Sequence, residues 1–96
     1  MKLLINGKEQ TFNITFIPAK LLKRTFEIQK KAEKAELDEE MIDEIVNYIV
    51  DVHGNKFTSE QLYDGLDVEE IYPEFEKAAL TVMNKFTAKL NQFPNK

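Results

Sequence analysis

The hydrophobic and polar residues of this chain follow two different periods, and each period predicts its own kind of element. On both sides of Asn6-Gly7, short strand-like runs over residues 2–5 and 8–16 indicate two strands. Asn and Gly both tolerate the positive φ angles of a two-residue type I′ turn, so these runs predict a β-hairpin over residues 1–16. One face carries Met1, Leu3, Ile5, Phe12 and Ile14, and the other carries Lys2, Leu4, Glu9 and Thr11.

After residue 17, apolar residues recur at every third or fourth position, which is the period of an amphipathic α-helix. Pro18 suits a helix start because its missing N–H is an unpaired group there anyway, and Asp38 is a suitable N-cap. Gly54 suits a helix end, and Thr58 with Gln61 fits a capping box. The predicted helices cover residues 18–36, 39–53, 59–64 and 68–92.

The last predicted helix contains Pro73 near its start, which predicts a kink or a restart because the residue before a proline avoids helical angles. A chain of 96 residues is near the low end of the size that folds alone, and no linker or repeat divides it. We therefore predict a single α+β domain over residues 1–96. It is predominantly α, with an N-terminal β-hairpin packed on about four helices.

The apolar stripe of the last predicted helix is long for so small a protein. Because a chain of this size has little interior, we expect part of the stripe to remain accessible and to bind a partner. The expected partner-binding residues are Phe75, Val82, Phe86, Leu90 and Phe93.

The charged residues are sorted into three blocks. Residues 1–35 carry eight basic and three acidic side chains, residues 36–76 carry one and fourteen, and residues 77–96 carry four and none. Two basic ends around an acidic middle create a dipolar field, which steers association and sets the register of a complex. The pattern predicts a protein that binds other proteins and forms homo-oligomers. The residues expected to meet in self-association are Lys20, Lys23, Arg24, Asp43 and Glu44.

The residues that carry most enzyme chemistry are scarce. The chain has no cysteine and one histidine, His53, which falls in the last turn of a predicted helix. The carboxylates of residues 38–44 lack the alternating Asp/Asn loop with glycine that binds calcium, so we interpret them as a solvated acidic face. All three glycines are explained by turns or helix ends, which leaves no phosphate-binding loop. We predict no catalytic residue, no metal and no cofactor.

A small regulatory protein that binds DNA through the basic helix 20–34 is the alternative function. Glu27 and Glu33 interrupt its basic patch, and the sequence pI is about 5.0, so we do not expect nucleic acid as a partner. No apolar run approaches the length of a membrane span, and cysteine is absent, so we expect a cytoplasmic protein without a membrane anchor.

Three stretches of the chain carry a family resemblance: residues 1–8 (MKLLINGK), 49–58 (IVDVHGNKFT) and 63–67 (YDGLD). With them the chain resembles the small tail assembly chaperones of long-tailed phages and prophages of Gram-positive bacteria. The resemblance implies a non-structural helper that coats the long, aggregation-prone tape measure protein while tail tube subunits polymerise around it. It therefore implies the tape measure protein and the tail tube protein as partners, and it brings no catalytic residues.

Overall fold

The computed structural model describes residues 1–34 and 37–90 of the chain. It confirms the predicted α+β class, with an N-terminal hairpin followed by four helices. The elements in chain order are β1 (Lys2–Ile5), β2 (Lys8–Thr11), α1 (Lys20–Lys34), α2 (Glu39–Val52), α3 (Ser59–Gly65), a 3-10 turn (Val68–Glu70) and α4 (Ile71–Thr87).

The hairpin has the predicted two-residue turn. Asn6 and Gly7 have φ angles of 54° and 77°, as a type I′ turn requires. Leu3 lies opposite Gln10 in the antiparallel register, and the Leu3 side chain is buried in the core. The predicted faces of the hairpin are therefore confirmed.

The second strand is shorter than predicted, since β2 ends at Thr11 and not at residue 16. Phe12 already pairs with Met1, which precedes β1, so the residues after Phe12 have no strand residue opposite them. Their backbone carbonyls accept hydrogen bonds from lysine side chains instead, as Asn13 O does from Lys56 Nζ at 2.8 Å. The Phe12 ring packs edge-on against Phe57, which draws this segment onto the helices.

The core is built around α2, which contacts α1, α3 and α4. Its apolar residues form a wide face, opposite a polar side that carries Asp43 and Asn47, and such a face is stable only when neighbouring elements cover it. The buried residues of α2 are Met41, Ile45, Val46, Tyr48, Ile49, Val50 and Val52. The other elements each contribute one apolar side to cover them.

Helix ends follow the capping signals of the sequence. Asp38 Oδ1 accepts a hydrogen bond from Met41 N at 2.9 Å at the start of α2. At the start of α3, the Thr58 hydroxyl accepts from Gln61 N at 3.1 Å, and Gln61 Oε1 accepts from Thr58 N at 2.9 Å. Gly54, with φ of 72°, follows the end of α2.

The first and last helices differ from their predicted ranges. α1 begins at Lys20 rather than at residue 18, and residues 35 and 36 lie outside the described chain. The predicted helix 68–92 is a 3-10 turn followed by α4, so Pro73 stands in the first turn of an α-helix, where its missing N–H costs no internal bond. α4 ends at Thr87, and residues 91 and 92 are also outside the described chain.

A buried polar contact joins α1 to α2. The Thr25 hydroxyl donates to Leu21 O at 2.8 Å, so its oxygen is left to accept from the Tyr48 hydroxyl. Thr25 and Tyr48 are both fully buried, and both hydroxyls are satisfied by this arrangement. The contact fixes the position of α1 along α2, because a shift would leave a buried hydroxyl unpaired.

The hairpin meets α3 through a very close backbone approach. A Cβ atom built on Gly65 would overlap the Leu4 carbonyl oxygen and lie 3.0 Å from Leu4 N. Only glycine leaves room for β1 at this point of α3. The glycine that ends α3 is thus also the residue that lets the hairpin dock.

We predict that Gly65→Ala destabilises the protein by about 1–3 kcal/mol, because β1 or α3 must shift to admit the methyl group. Urea unfolding followed by circular dichroism measures the change. The matched control is Asp64→Ala at the exposed neighbouring position, which should change the free energy of unfolding by less than about 0.5 kcal/mol. Equal stability of Gly65→Ala and the control would show that β1 does not approach α3 this closely.

Candidate partner-binding surface

α4 has two apolar sides, and only one of them faces the core. Phe75 and Val82 lie on the core side, where each is 3% exposed. Further large apolar groups, on the flank of α4 away from the core or near its C-terminal end, remain in solvent. These are Tyr72 (54% exposed), Leu80 (61%), Phe86 (51%) and Leu90 (48%), the last just beyond the end of the helix.

The exposed residues of α4 form one continuous stripe. Tyr72, Met83 and Leu90 are separated by eleven and seven residues, which the 3.6-residue period brings to the same side of a helix. Leu80 and Phe86 lie on the two flanks of this line. The stripe therefore runs along the whole length of α4.

α1 supplies the second side of the same surface. Leu22, Phe26, Gln29 and Glu33 follow one another at spacings of three or four residues and share one side of α1. Phe26 is 48% exposed. Two open grooves lie between α1 and α4, one lined by residues that include Ala32, Tyr72, Ala79, Leu80 and Met83, the other by residues that include Ile17, Leu22, Val82 and Phe86.

We define the α1–α4 surface as Leu22, Phe26, Tyr72, Leu80, Met83, Phe86 and Leu90. Ten large apolar side chains are exposed in the described part of the chain, and five of them belong to this surface. The other five are spread over the hairpin, the segment after it, the start of α2, α3 and the 3-10 turn. An apolar concentration of this kind is typical of a protein-binding surface.

The first groove has a shape that suits a helix. Ala32 and Ala79 leave little side-chain bulk between α1 and α4, so an apolar partner helix can approach closely. The polar residues that line it are Gln29, Glu33 and Glu76. Its polar rim thus offers hydrogen-bond acceptors and negative charge to the flanks of such a helix.

The structure divides the partner-binding residues predicted from the sequence. Phe75 and Val82 are core residues, so a partner in either groove would meet little of their side chains. Phe86 and Leu90 are exposed and belong to the α1–α4 surface. Phe93 lies outside the described residues.

Sequence reasoning missed Phe26, Tyr72 and Leu80. Leu80 is apolar but does not share the period of the core residues Phe75 and Val82, and this mismatch was the available signal for a second apolar side. No comparable signal marked Phe26, because its spacing fits the core stripe of α1 equally well.

Two of the residues predicted to mediate self-association form ion pairs with other residues of this chain. The Arg24 guanidinium forms an ion pair with Asp51 on α2. Glu44 on α2 accepts from Lys31 Nζ at 2.6 Å, and this contact raises the pKa of Lys31. These ion pairs connect α1 to α2. They neutralise part of the basic charge of α1 that could attract DNA or a second copy.

The remaining self-association residues are differently placed. Asp43 accepts a hydrogen bond from the Tyr63 hydroxyl and so links α2 to α3. Lys20 and Lys23 are exposed on α1. Of the five residues predicted for self-association, Arg24, Asp43 and Glu44 therefore hold helices of this chain together.

Neither a metal cluster nor a membrane span appears in the described ranges. Residues 1–34 and 37–90 contain no group of three or more His, Asp or Glu side chains arranged to hold a metal ion. No helix among the same residues has both the length and the apolar character that crossing a membrane requires.

The family of the chain follows from its sequence as a whole. A sequence model of the family described as "Phage tail chaperone protein" matches residues 1–94. The chain belongs to the phage tail chaperone family. No curated protein and no solved structure gave a match.

The single histidine of this phage tail chaperone is buried beside the hairpin. His53 Nδ1 lies 2.8 Å from Ile49 O, and a carbonyl accepts only, so the neutral ring carries its proton on Nδ1. Burial lowers the pKa of His53, a change that the bond to Ile49 partly opposes. The ring also packs against Phe57, with centroids 5.4 Å apart. The chaperone therefore uses His53 as a neutral core residue.

We predict that His53 makes the stability of this chaperone depend on pH. Its pKa is lower in the folded state than the value of 6.5 in the unfolded chain, so protonation favours unfolding. The stabilisation is complete above pH 6.5 and is lost as the pH falls from there towards the pKa of the folded state. Urea unfolding on both sides of this pH measures the loss.

The control for this prediction is His53→Gln, whose amide can donate to Ile49 O but does not titrate. The carboxylates contribute equally to both proteins, so the variant should lose less stability than the wild type over the same pH interval. An equal loss in the two proteins would mean that His53 is not held neutral by burial.

Proposed function

We propose that this chain binds the tape measure protein during phage tail assembly and helps to recruit tail tube subunits to it. Membership of the phage tail chaperone family supports an assembly role. We place the binding surface between α1 and α4 because exposed apolar residues are concentrated there. A long apolar protein that has no finished tail around it needs such a surface to cover it.

The mode of binding follows from the geometry of the first groove. A helix of the tape measure protein lies between α1 and α4, with apolar side chains against Tyr72, Leu80 and Met83. Its association removes these groups and its own apolar stripe from water, which is the main favourable contribution. The chaperone competes in this way with the self-association that makes the tape measure protein aggregate.

The proposed role is non-enzymatic and is performed in the bacterial cytoplasm. The family is generally non-enzymatic, and His53 is buried with its Nδ1 bound to a backbone carbonyl. The activity is thus the reversible covering of another chain, which needs neither a cofactor nor a reactive group.

The chaperone also acts as a homo-oligomer, with several copies along one tape measure molecule. The dipolar charge distribution of the chain supports this part of the proposal, because it favours an ordered arrangement of copies. Lys20 and Lys23 are exposed and remain the best charged candidates for contact with a neighbouring copy.

We predict that Leu80→Asp combined with Phe86→Asp weakens binding of the tape measure protein by about tenfold or more, equivalent to about 1.4 kcal/mol. Both side chains are more than half exposed, so their replacement leaves the core intact. Co-expression with the tape measure protein encoded in the same gene cluster provides the measurement. The soluble fraction of the tape measure protein should fall relative to co-expression with the wild type.

The control is Val68→Asp, which places one aspartate at an 83% exposed apolar position on the 3-10 turn, outside the α1–α4 surface. It should preserve the soluble fraction. Equal loss in the control would assign the effect to charge alone, and unchanged solubility in the double variant would exclude the α1–α4 surface. If wild-type chain leaves the tape measure protein insoluble, the proposed function itself is wrong.

A further inference from the structure

The two edges of the hairpin are in very different surroundings. The outer edge of β1 is closed by α3, which approaches the backbone of Leu4 through Gly65. The outer edge of β2 is open, and all four of its residues are exposed. In the described part of the chain, β1 is the only element that neighbours β2.

The hydrogen bonds of the hairpin identify which groups this open edge presents. Met1 and Phe12 exchange two bonds, at 2.8 and 2.7 Å, so they are a hydrogen-bonded pair of the antiparallel ladder. Bonded and non-bonded pairs alternate along such a ladder, which makes the Leu3 and Gln10 pair the next bonded one. Glu9 and Thr11 therefore direct their backbone N–H and C=O groups away from β1.

We propose that β2 pairs antiparallel with β2 of a second copy, so that two hairpins form one four-stranded sheet. The proposal rests on the homo-oligomeric state given under the proposed function and names the contact that builds it. Among the described elements, α3 is the only helix that contacts the hairpin, and it contacts β1, so the open edge of β2 is accessible to another hairpin. A strand edge presents a self-complementary row of donors and acceptors, which suits a two-fold contact.

Hydrogen bonding and charge select one register of this pairing. Only Glu9 and Thr11 present outward groups, so the two-fold axis passes beside Glu9, Gln10 or Thr11. With Gln10 on the axis, Glu9 of each copy faces Thr11 of the other, and every outward group of both strands is paired. With Glu9 on the axis, two carboxylates face each other, which is unfavourable. With Thr11 on the axis, the outward groups of Glu9 face the loop residue Asn13, whose carbonyl already accepts from Lys56.

The surroundings of the preferred register are electrostatically favourable. Lys2 is the cross-strand neighbour of Thr11, so it stands one strand beyond Thr11 on the face that carries Glu9 of the second copy. Strands are spaced about 4.8 Å apart, and a lysine side chain can span the intervening residue towards that carboxylate. The register thus brings each Glu9 towards a lysine of the other copy.

Disulfide trapping in the full-length chain tests the register directly. Gln10 and Gln10 of the second copy would form a non-hydrogen-bonded pair with Cα atoms about 4.5 Å apart, within the range that a disulfide spans. The chain has no cysteine of its own, so Gln10→Cys introduces the only thiol. We expect its disulfide-linked dimer to form about tenfold faster than that of Val68→Cys, an exposed position on the 3-10 turn that does not contact β2, because pairing raises the effective thiol concentration.

Glu9→Cys and Thr11→Cys are the register controls, and both should link more slowly than Gln10→Cys. Faster linking at either position would overturn the proposed register. Linking of all three at the rate of Val68→Cys would overturn pairing through β2. If light scattering still shows oligomers in that case, the proposed homo-oligomer stands and its contact lies elsewhere.

A second variant tests the hydrogen bonds without a cysteine. Thr11→Pro removes an outward N–H and leaves the bonds to β1 in place, as prolines on edge strands do. Its circular dichroism should match that of Thr11→Ala, which keeps the N–H, while its oligomers should be lost in light scattering at low and at high salt. Oligomers that persist in Thr11→Pro and dissociate in salt would assign the contact to charged side chains and overturn the proposal. A further outcome would also overturn the proposal: Thr11→Pro lowers the soluble fraction of the tape measure protein, and Gln10→Cys forms no faster disulfide than Val68→Cys. The open edge of β2 would then bind a strand of the partner protein and not a second copy.

Discussion

The burial of α2 is the constraint on which the rest of the structure depends. Its apolar residues form a wide face that other elements must cover, while Asp43 and Asn47 on the opposite side stay in water. α1, α3 and α4 each lie against it and give up one apolar side to do so. The polar link between Thr25 and Tyr48 then fixes where α1 lies along it.

A small chain that covers the wide apolar face of one helix must leave other apolar surface uncovered. The surface of a compact chain shrinks slowly with size, so 96 residues cannot enclose every apolar group. In this fold the uncovered apolar groups are concentrated between α1 and α4. These helices contact α2 but do not cover each other's outer flanks. The accessible surface is therefore a consequence of how the core is built.

The local elements could be predicted from the sequence because their signals are local. Asn6-Gly7 specified the turn, and Thr58 with Gln61 specified the start of α3. The extent of β2 was not predictable in this way, because β2 ends opposite Lys2, the first residue of β1. Burial of Phe75 and Val82 was missed for a related reason: a helical period identifies an apolar side, but only the packing of other helices decides which part of it is covered.

The charged residues show the same limit over longer distances. The sequence predicted that Arg24 and Glu44 would contact another copy, but each finds a partner within the chain, with Arg24 and Asp51 separated by 27 positions. When two neighbouring helices carry opposite charges, these charges pair within the chain and are less available to a second copy. An intermolecular contact must use groups that the fold leaves unpaired, and at the open edge of β2 those groups belong to the backbone. The edge and the α1–α4 surface lie on different elements, so the two proposed contacts do not compete for the same residues.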